Sequence, residues 1–211
     1  MRSIFLTLII CLAMLPLGGC FPSSRPEMTT NYYTLDYAAP ALDTSAETIT
    51  SVMKISRFTS TQEFNTQDML FSPQGGVLRS YNYSRWRVYP ADLCGDYLAR
   101  DMRQSGVFQA VVQNGLSRFR LEGALEEFVR IDGEAPYVAL AINCTLLDNN
   151  NRGGIDAQVI FQRTYRHEVR VGDDSPLAMA QGLSQAMALF SKQVQEDIYL
   201  AISSRGGRGD Q

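Results

Sequence analysis

The sequence predicts a single α+β domain, a mainly antiparallel sheet with two amphipathic helices packed on one face. Three observations carry this. Several segments alternate apolar and polar residues with the period of a strand, most strictly at Val138, Leu140, Ile142, Cys144 and Leu146. Two others, opening at Pro90 and at Pro176, repeat apolar residues at three- and four-residue steps. The helical stretches follow runs of strands instead of alternating with them singly, which gives the order β-β-β-β-α-β-β-β-β-α.

Asn31 to Tyr37 is the first strand, rich in β-favouring residues. Ile49 to Phe58 is the second, with Ile49, Val52 and Ile55 as candidate core residues. Gln67–Phe71 and Leu78–Tyr89 form a pair around the turn Ser72-Pro73-Gln74-Gly75-Gly76. Pro90 suits the first position of a helix carrying Leu93, Cys94, Tyr97, Leu98 and Met102, and Ser105-Gly106 ends it. After a short strand at Val107–Val112, Phe119–Arg130 alternates and then changes phase at Glu126-Glu127, which predicts a bulge. Tyr137–Leu147 and Ile155–Val169 make an antiparallel hairpin across Asp148–Gly154, a turn rich in Asn and Gly. Ser175-Pro176 caps the last helix, which carries Ala180, Leu183, Met187, Phe190, Val194, Ile198 and Ala201. Residues 203–211, a Gly/Arg/Ser tail, are expected to be disordered.

The N-terminus reads as a targeting segment. Arg2 precedes an apolar stretch from Ile4 to Leu17, shorter than the ~20 residues a membrane-crossing helix needs. Leu17-Gly18-Gly19-Cys20 resembles the bacterial lipobox. The expectation is a signal peptide over residues 1–19, cleavage between Gly19 and Cys20, and lipid attached to the Cys20 thiol. Two or three acyl chains anchor stably where one does not, since each buried CH₂ contributes about 0.8 kcal/mol. Phe21, not Asp, follows the cysteine. By the enterobacterial sorting rule this points to the outer membrane, facing the periplasm. Residues 20–30 then form the lipidated cysteine and a Pro/Ser/Thr-rich tether reaching at most ~35 Å, and residues 31–202 the folded domain.

With 19 Lys+Arg against 22 Asp+Glu, and Arg2 lost with the signal, the chain is mildly acidic without basic clusters, a poor match to nucleic acid. Of four cysteines, Cys11 leaves with the signal and Cys20 is lipidated. Cys94 and Cys144 remain, both on apolar faces. They are either a disulfide in an oxidising compartment or two separately buried thiols.

Reactive chemistry is hard to assemble from the rest. His167 is the only histidine, flanked by Arg166 and Glu168 and expected to be exposed, so no Ser-His-Asp or Cys-His arrangement and no zinc cluster has its parts. Glu126-Glu127 are adjacent strand residues that point to opposite faces and read as a solvated edge. Gly75-Gly76 and Gly153-Gly154 are turn glycines with no helix behind them to hold phosphate. No catalytic residue, metal or cofactor is expected. One stretch has the composition of a binding hot spot: Tyr81, Tyr83, Arg85, Trp86 and Arg87. It is either a partner surface or a half-buried strand with one aromatic face.

At that stretch the chain resembles the ABC-type transport auxiliary lipoprotein family, the lipoprotein partners of MCE (mammalian-cell-entry) lipid transport systems, including the paraquat-inducible type. The likeness starts at Tyr32-Tyr33-Thr34-Leu35, then Phe64-Asn65-Thr66 and Met69-Leu70-Phe71. Its most specific part is Tyr81-Asn82-Tyr83-Ser84-Arg85-Trp86 followed by Pro90-Ala91-Asp92-Leu93. Ser105-Gly106-Val107-Phe108, Leu121-Glu122-Gly123, Leu125-Glu126-Glu127-Phe128, Phe161-Gln162-Arg163-Thr164-Tyr165 and the closing helix continue it in order. The Cys94/Cys144 pair is a departure. The resemblance implies a non-catalytic subunit that works by binding and assembly with a periplasmic MCE protein, beside an ABC permease and ATPase, and a homo-oligomeric ring around the exit. A pilot or envelope-assembly lipoprotein without lipid cargo is the rival reading; a degenerate hydrolase is the enzymatic one.

Cys20→Ala is expected to leave an unprocessed, unlipidated precursor. Intact mass and membrane extraction check this: mature, membrane-extracted protein from the mutant would remove the anchor.

Overall fold

One strand organises the architecture. In the computed structural model, which describes residues 28–42, 48–74, 76–150 and 158–206, Phe119–Ile131 runs the length of a nine-stranded sheet. In chain order the elements are β1 (Asn31–Tyr33), β2 (Ile49–Ile55), β3 (Thr59–Ser60), β4 (Asp68–Gln74), β5 (Val77–Trp86), α1 (Pro90–Ser105), β6 (Phe108–Val112), β7 (Phe119–Ile131), β8 (Tyr137–Asp148), β9 (Val159–Arg170) and α2 (Pro176–Gly206). A single 3-10 turn, Gln62–Phe64, sits between β3 and β4.

Three strands meet one edge of β7 in succession, all parallel to it. β2 pairs at Phe119–Leu121, β3 at Ala124–Leu125 and β4 at Arg130–Ile131. The opposite edge is taken along its whole length by antiparallel β8, and β9 pairs outside β8. β6 adds to β2, and β5 and then β1 extend from β4. The α+β class holds, and the two longest ladders are antiparallel as expected. The parallel neighbours of β7 come from loops whose direction single-strand patterning does not encode.

The alternation read from sequence is the one that packs. Val138, Leu140, Ile142, Cys144 and Leu146 of β8 are all at 0% exposure, against Leu121 and Leu125 of β7. The register shift between Leu125 and Glu127 is the expected bulge, and it returns Phe128 and Arg130 to the interior. Onto this face α1 brings Leu93, Cys94, Leu98 and Met102, and α2 brings Leu183, Met187, Phe190, Val194 and Ile198. Gly106 caps α1 at φ 67, the left-handed conformation glycine adopts without steric cost. On the opposite face Ala139 and Ala141 are shielded by longer polar side chains: Arg166 bonds Glu127 at 2.6 Å and also pairs with Glu168.

Several boundaries move. β1 ends at Tyr33, and Thr34–Tyr37 instead crosses the two helices as a strap. Leu35 is buried, the Asp36 amide donates to Ser184 Oγ at 2.9 Å, and Tyr37 donates to Asp101 at 2.8 Å. The Tyr97 hydroxyl reaches the Leu35 carbonyl. Ser203–Gly206, expected in a disordered tail, continue α2. His167, expected to be exposed, is half-buried, and burial lowers its pKa. The signal segment, Cys20, most of the tether, the Asn151–Gly154 part of the β8–β9 turn and residues 207–211 lie outside the described residues.

Close packing of Phe58 against two glycines makes a test. A Cβ on Gly123 would stand 2.6 Å from three ring atoms of Phe58, whereas one on Gly95 would stand at an ordinary 3.5 Å. Gly123→Ala is expected to cost about 1–3 kcal/mol in urea unfolding, and much less in a Phe58→Leu background. Gly95→Ala is expected to cost clearly less than Gly123→Ala.

Candidate docking surface

The aromatic and basic stretch lies on β5, and β5 is half core and half surface. Trp86 is fully buried, with its ring 5.0 Å from Phe128 in an edge-on contact. It is therefore a core residue and not part of a partner surface. Ser84, two positions earlier, is buried as well. Tyr83, Arg85 and Arg87, which alternate with them, point outward, as strand alternation requires. Tyr83 is 42% exposed, and Arg85 is held by Asp68 at 3.1 Å. Parallel pairing sets Tyr32 of β1 beside Arg85, and Tyr32 is 67% exposed. Sequence reasoning missed Tyr32 as a member of this group, because only the pairing of β1 with β5 brings it there.

Tyr81 faces a different environment. Its ring packs 4.9 Å from Phe71, and its hydroxyl donates to the Asp174 carbonyl at 2.7 Å while accepting from Arg130. Burial raises its pKa, against the opposing pull of the Arg130 guanidinium. Arg130 itself has a side chain only 2% exposed. It pairs with Asp132 at 2.7 Å, donates to the Asp174 carbonyl, and lies 5.1 Å over the Phe71 ring and 5.4 Å over Tyr81. One guanidinium thus joins β4, β5, β7 and the segment before α2, and it braces the surface from behind.

The remaining chemistry-bearing residues do not converge. Cys94 and Cys144 are both free thiols at 0% exposure. Burial pushes both thiols well above the usual range, favouring the protonated form in the folded chain. Cavities of about 380, 460 and 420 Å³ open around Arg57, which bonds both oxygens of Asp92 at 2.7 and 2.8 Å. Their linings include the polar side chains of Ser56, Asp92, Asn114, Glu122 and Gln162. Among the described residues no group of His, Cys, Asp and Glu is placed to hold a metal ion. Nor is any helix there long and apolar enough to cross a membrane.

Fold and surface together define a class: an α+β domain whose β1 and β5 carry an outward group of aromatic and basic side chains. Within that class, the chain belongs to the family of ABC-type transport auxiliary lipoprotein components, whose model matches residues 33–195. No curated protein matches the sequence. Among solved structures, the chain is similar to protein XCC0632 from Xanthomonas campestris, of the DUF330 family, at 16% identity and a TM-score of 0.76. That match covers 84% of this chain and 99% of the other. The hypothetical protein CT253 from Chlamydia trachomatis aligns at 7% identity and a TM-score of 0.51, over 72% and 96% of the two chains. At these identities the likeness is one of fold.

Arg130→Met is expected to lower unfolding stability by about 2–4 kcal/mol, because it strands buried acceptors that the guanidinium now satisfies. Arg57→Met, which removes an ion pair open to solvent, is expected to shift stability far less. Urea unfolding of the two variants side by side checks the contrast.

Proposed function

We propose that this protein is a lipid-anchored, periplasm-facing accessory subunit of an MCE-type ABC transport system that moves lipids between the inner and outer membranes. Its anchor is Cys20 and its membrane the outer one. It acts by binding and assembly with the MCE protein, not by catalysis, and a homo-oligomeric ring around the exit is part of the reading. Family membership over residues 33–195 is the single observation that carries it. The outward Tyr83, Arg85 and Arg87 group, braced by Arg130, supplies a rigid face suited to docking.

The experiment is co-purification of the lipidated, full-length protein from membranes in mild detergent. The expected companions are an MCE-domain protein, a permease and an ATPase. Recovery with envelope-assembly components and none of these three would favour the pilot-lipoprotein reading and overturn this one.

The buried cysteines carry a separate expectation. Two core-facing cysteines in an oxidising periplasm support a Cys94–Cys144 bridge in the exported protein, contributing roughly 2–4 kcal/mol. Mass spectrometry after alkylation under denaturing, non-reducing conditions decides: loss of two hydrogens supports the bridge, and two alkylated thiols end it.

A further inference from the structure

We propose that the β4–β5 hairpin arm and the adjoining outer surface of β1 and β5 form a membrane-docking face, which seats the domain on anionic lipid headgroups of the bilayer holding its anchor. The proposal deepens the reading above and rests on it for the position of Cys20.

Chain direction is the first argument. β1 runs parallel to β5, with Asn31 opposite Ser84 and Tyr33 opposite Trp86. The chain therefore enters β1 from the side on which β5 begins, the side of the hairpin arm. Seven residues separate Cys20 from Met28, where the described chain starts, and Met28 is 62% exposed. Eight Cα steps reach at most about 28 Å. That span is no more than the width of a small domain, so the arm side of the fold is held close to the lipid surface.

The second argument is the chemistry presented there. The first four residues of β5, Val77 to Ser80, are all exposed, on both faces of the strand. Past the positions where Phe71 and Ser72 pair with β7, the arm continues to a tip at which Val77 and Leu78 are 43% and 41% exposed. Behind the tip stand Tyr32 and Tyr83, aromatic side chains with a polar end, the type enriched at the headgroup level of membranes. Arg79 and Arg87 flank them, and neither takes part in an ion pair among the described residues. The carboxylate set in register on this face, Asp68, is already neutralised by Arg85. From the tip inward the order is Val77 and Leu78, then Arg79, then Tyr83 with Tyr32 alongside, then Arg87, so apolar, basic and aromatic side chains share one surface. Braced by the Arg130–Tyr81 contacts, the face needs no reordering to bind.

The test uses the mature chain with Cys20→Ser, so that binding does not depend on acylation. Flotation with vesicles of phosphatidylcholine and phosphatidylglycerol is compared with phosphatidylcholine alone. Binding to the anionic vesicles, weakened by salt, is expected. Arg79→Glu and Arg87→Glu should each weaken it roughly fivefold or more, and Val77→Asp with Leu78→Asp should weaken it further, all with unchanged Tm. Leu78→Trp adds an emitter beside Trp86, the only native tryptophan, which is buried. The added indole should be quenched by brominated lipid. No binding by the Cys20→Ser chain, equal binding by all variants, or an unquenched indole would each overturn the proposal. So would variants that float normally yet lose the protein companions in co-purification, since the face would then belong to a protein partner. Acylation is read independently from the mass of the native chain: absent lipid with intact vesicle binding would fault the anchor and leave the docking face standing.

Discussion

The structure depends on one edge of β7 being shared among three strands. Every backbone donor and acceptor along that edge must find a partner, yet β2, β3 and β4 arrive separately, joined by short connections. The sharing works because β7 bends at its bulge and because its two ends are fixed differently. At the start Phe119 packs against Phe108, and at the far end Arg130 gathers Phe71, Tyr81, Asp132 and the Asp174 carbonyl. The β4–β5 hairpin pairs with β7 at only two register positions, Phe71 with Arg130 and Ser72 with Ile131, and the Arg130 contacts and the Trp86–Phe128 packing reinforce that short ladder. The outward surface of β5 is thus positioned by β7 as much as by β5 itself.

Polar groups in the interior specify this arrangement further. Asp101 has no exposed side-chain surface, yet Arg100 grips it at 2.6 and 2.8 Å and Tyr37 donates to it. Arg100 in turn lies over both Tyr37 and Tyr97, at 4.6 and 4.4 Å from their ring centres. Ser184, buried on α2, accepts from the strap. Each of these groups is satisfied by a partner distant in sequence, so a helix slipped by one turn would leave a buried charge or amide unpaired.

Much of this was legible in the residues. Both helices, the β8 alternation, the bulge at Glu126-Glu127 and the cap at Gly106 follow from local periodicity and turn chemistry, which a single segment records. What was not legible has a common cause. β3 is two residues long and leaves no period to detect, and the parallel neighbours of β7 depend on how loops route the chain. Strand alternation on β5 told that Tyr83 and Trp86 face opposite ways without telling which faces inward. Phe128, far along the chain, decides that by receiving the indole. For the same reason Tyr32 joined the surface group only once β1 was seen against β5, and His167 was read as exposed because its charged flanking residues do not reveal α2 lying over the strand.

The strap between β1 and the helices sets how the domain bears a pull. A force applied through the chain before Met28 runs along the β1 axis, so it loads the hydrogen bonds to β5 in shear, together, instead of peeling them one at a time. Should those three residues slip, the next resistance is Leu35 wedged in the core and the bonds from Asp36 to α2 and from Tyr37 to α1. The load then passes into both helices at once. A pull on the first residues of the domain is thus met by two successive sets of contacts, the β1–β5 ladder and then the strap.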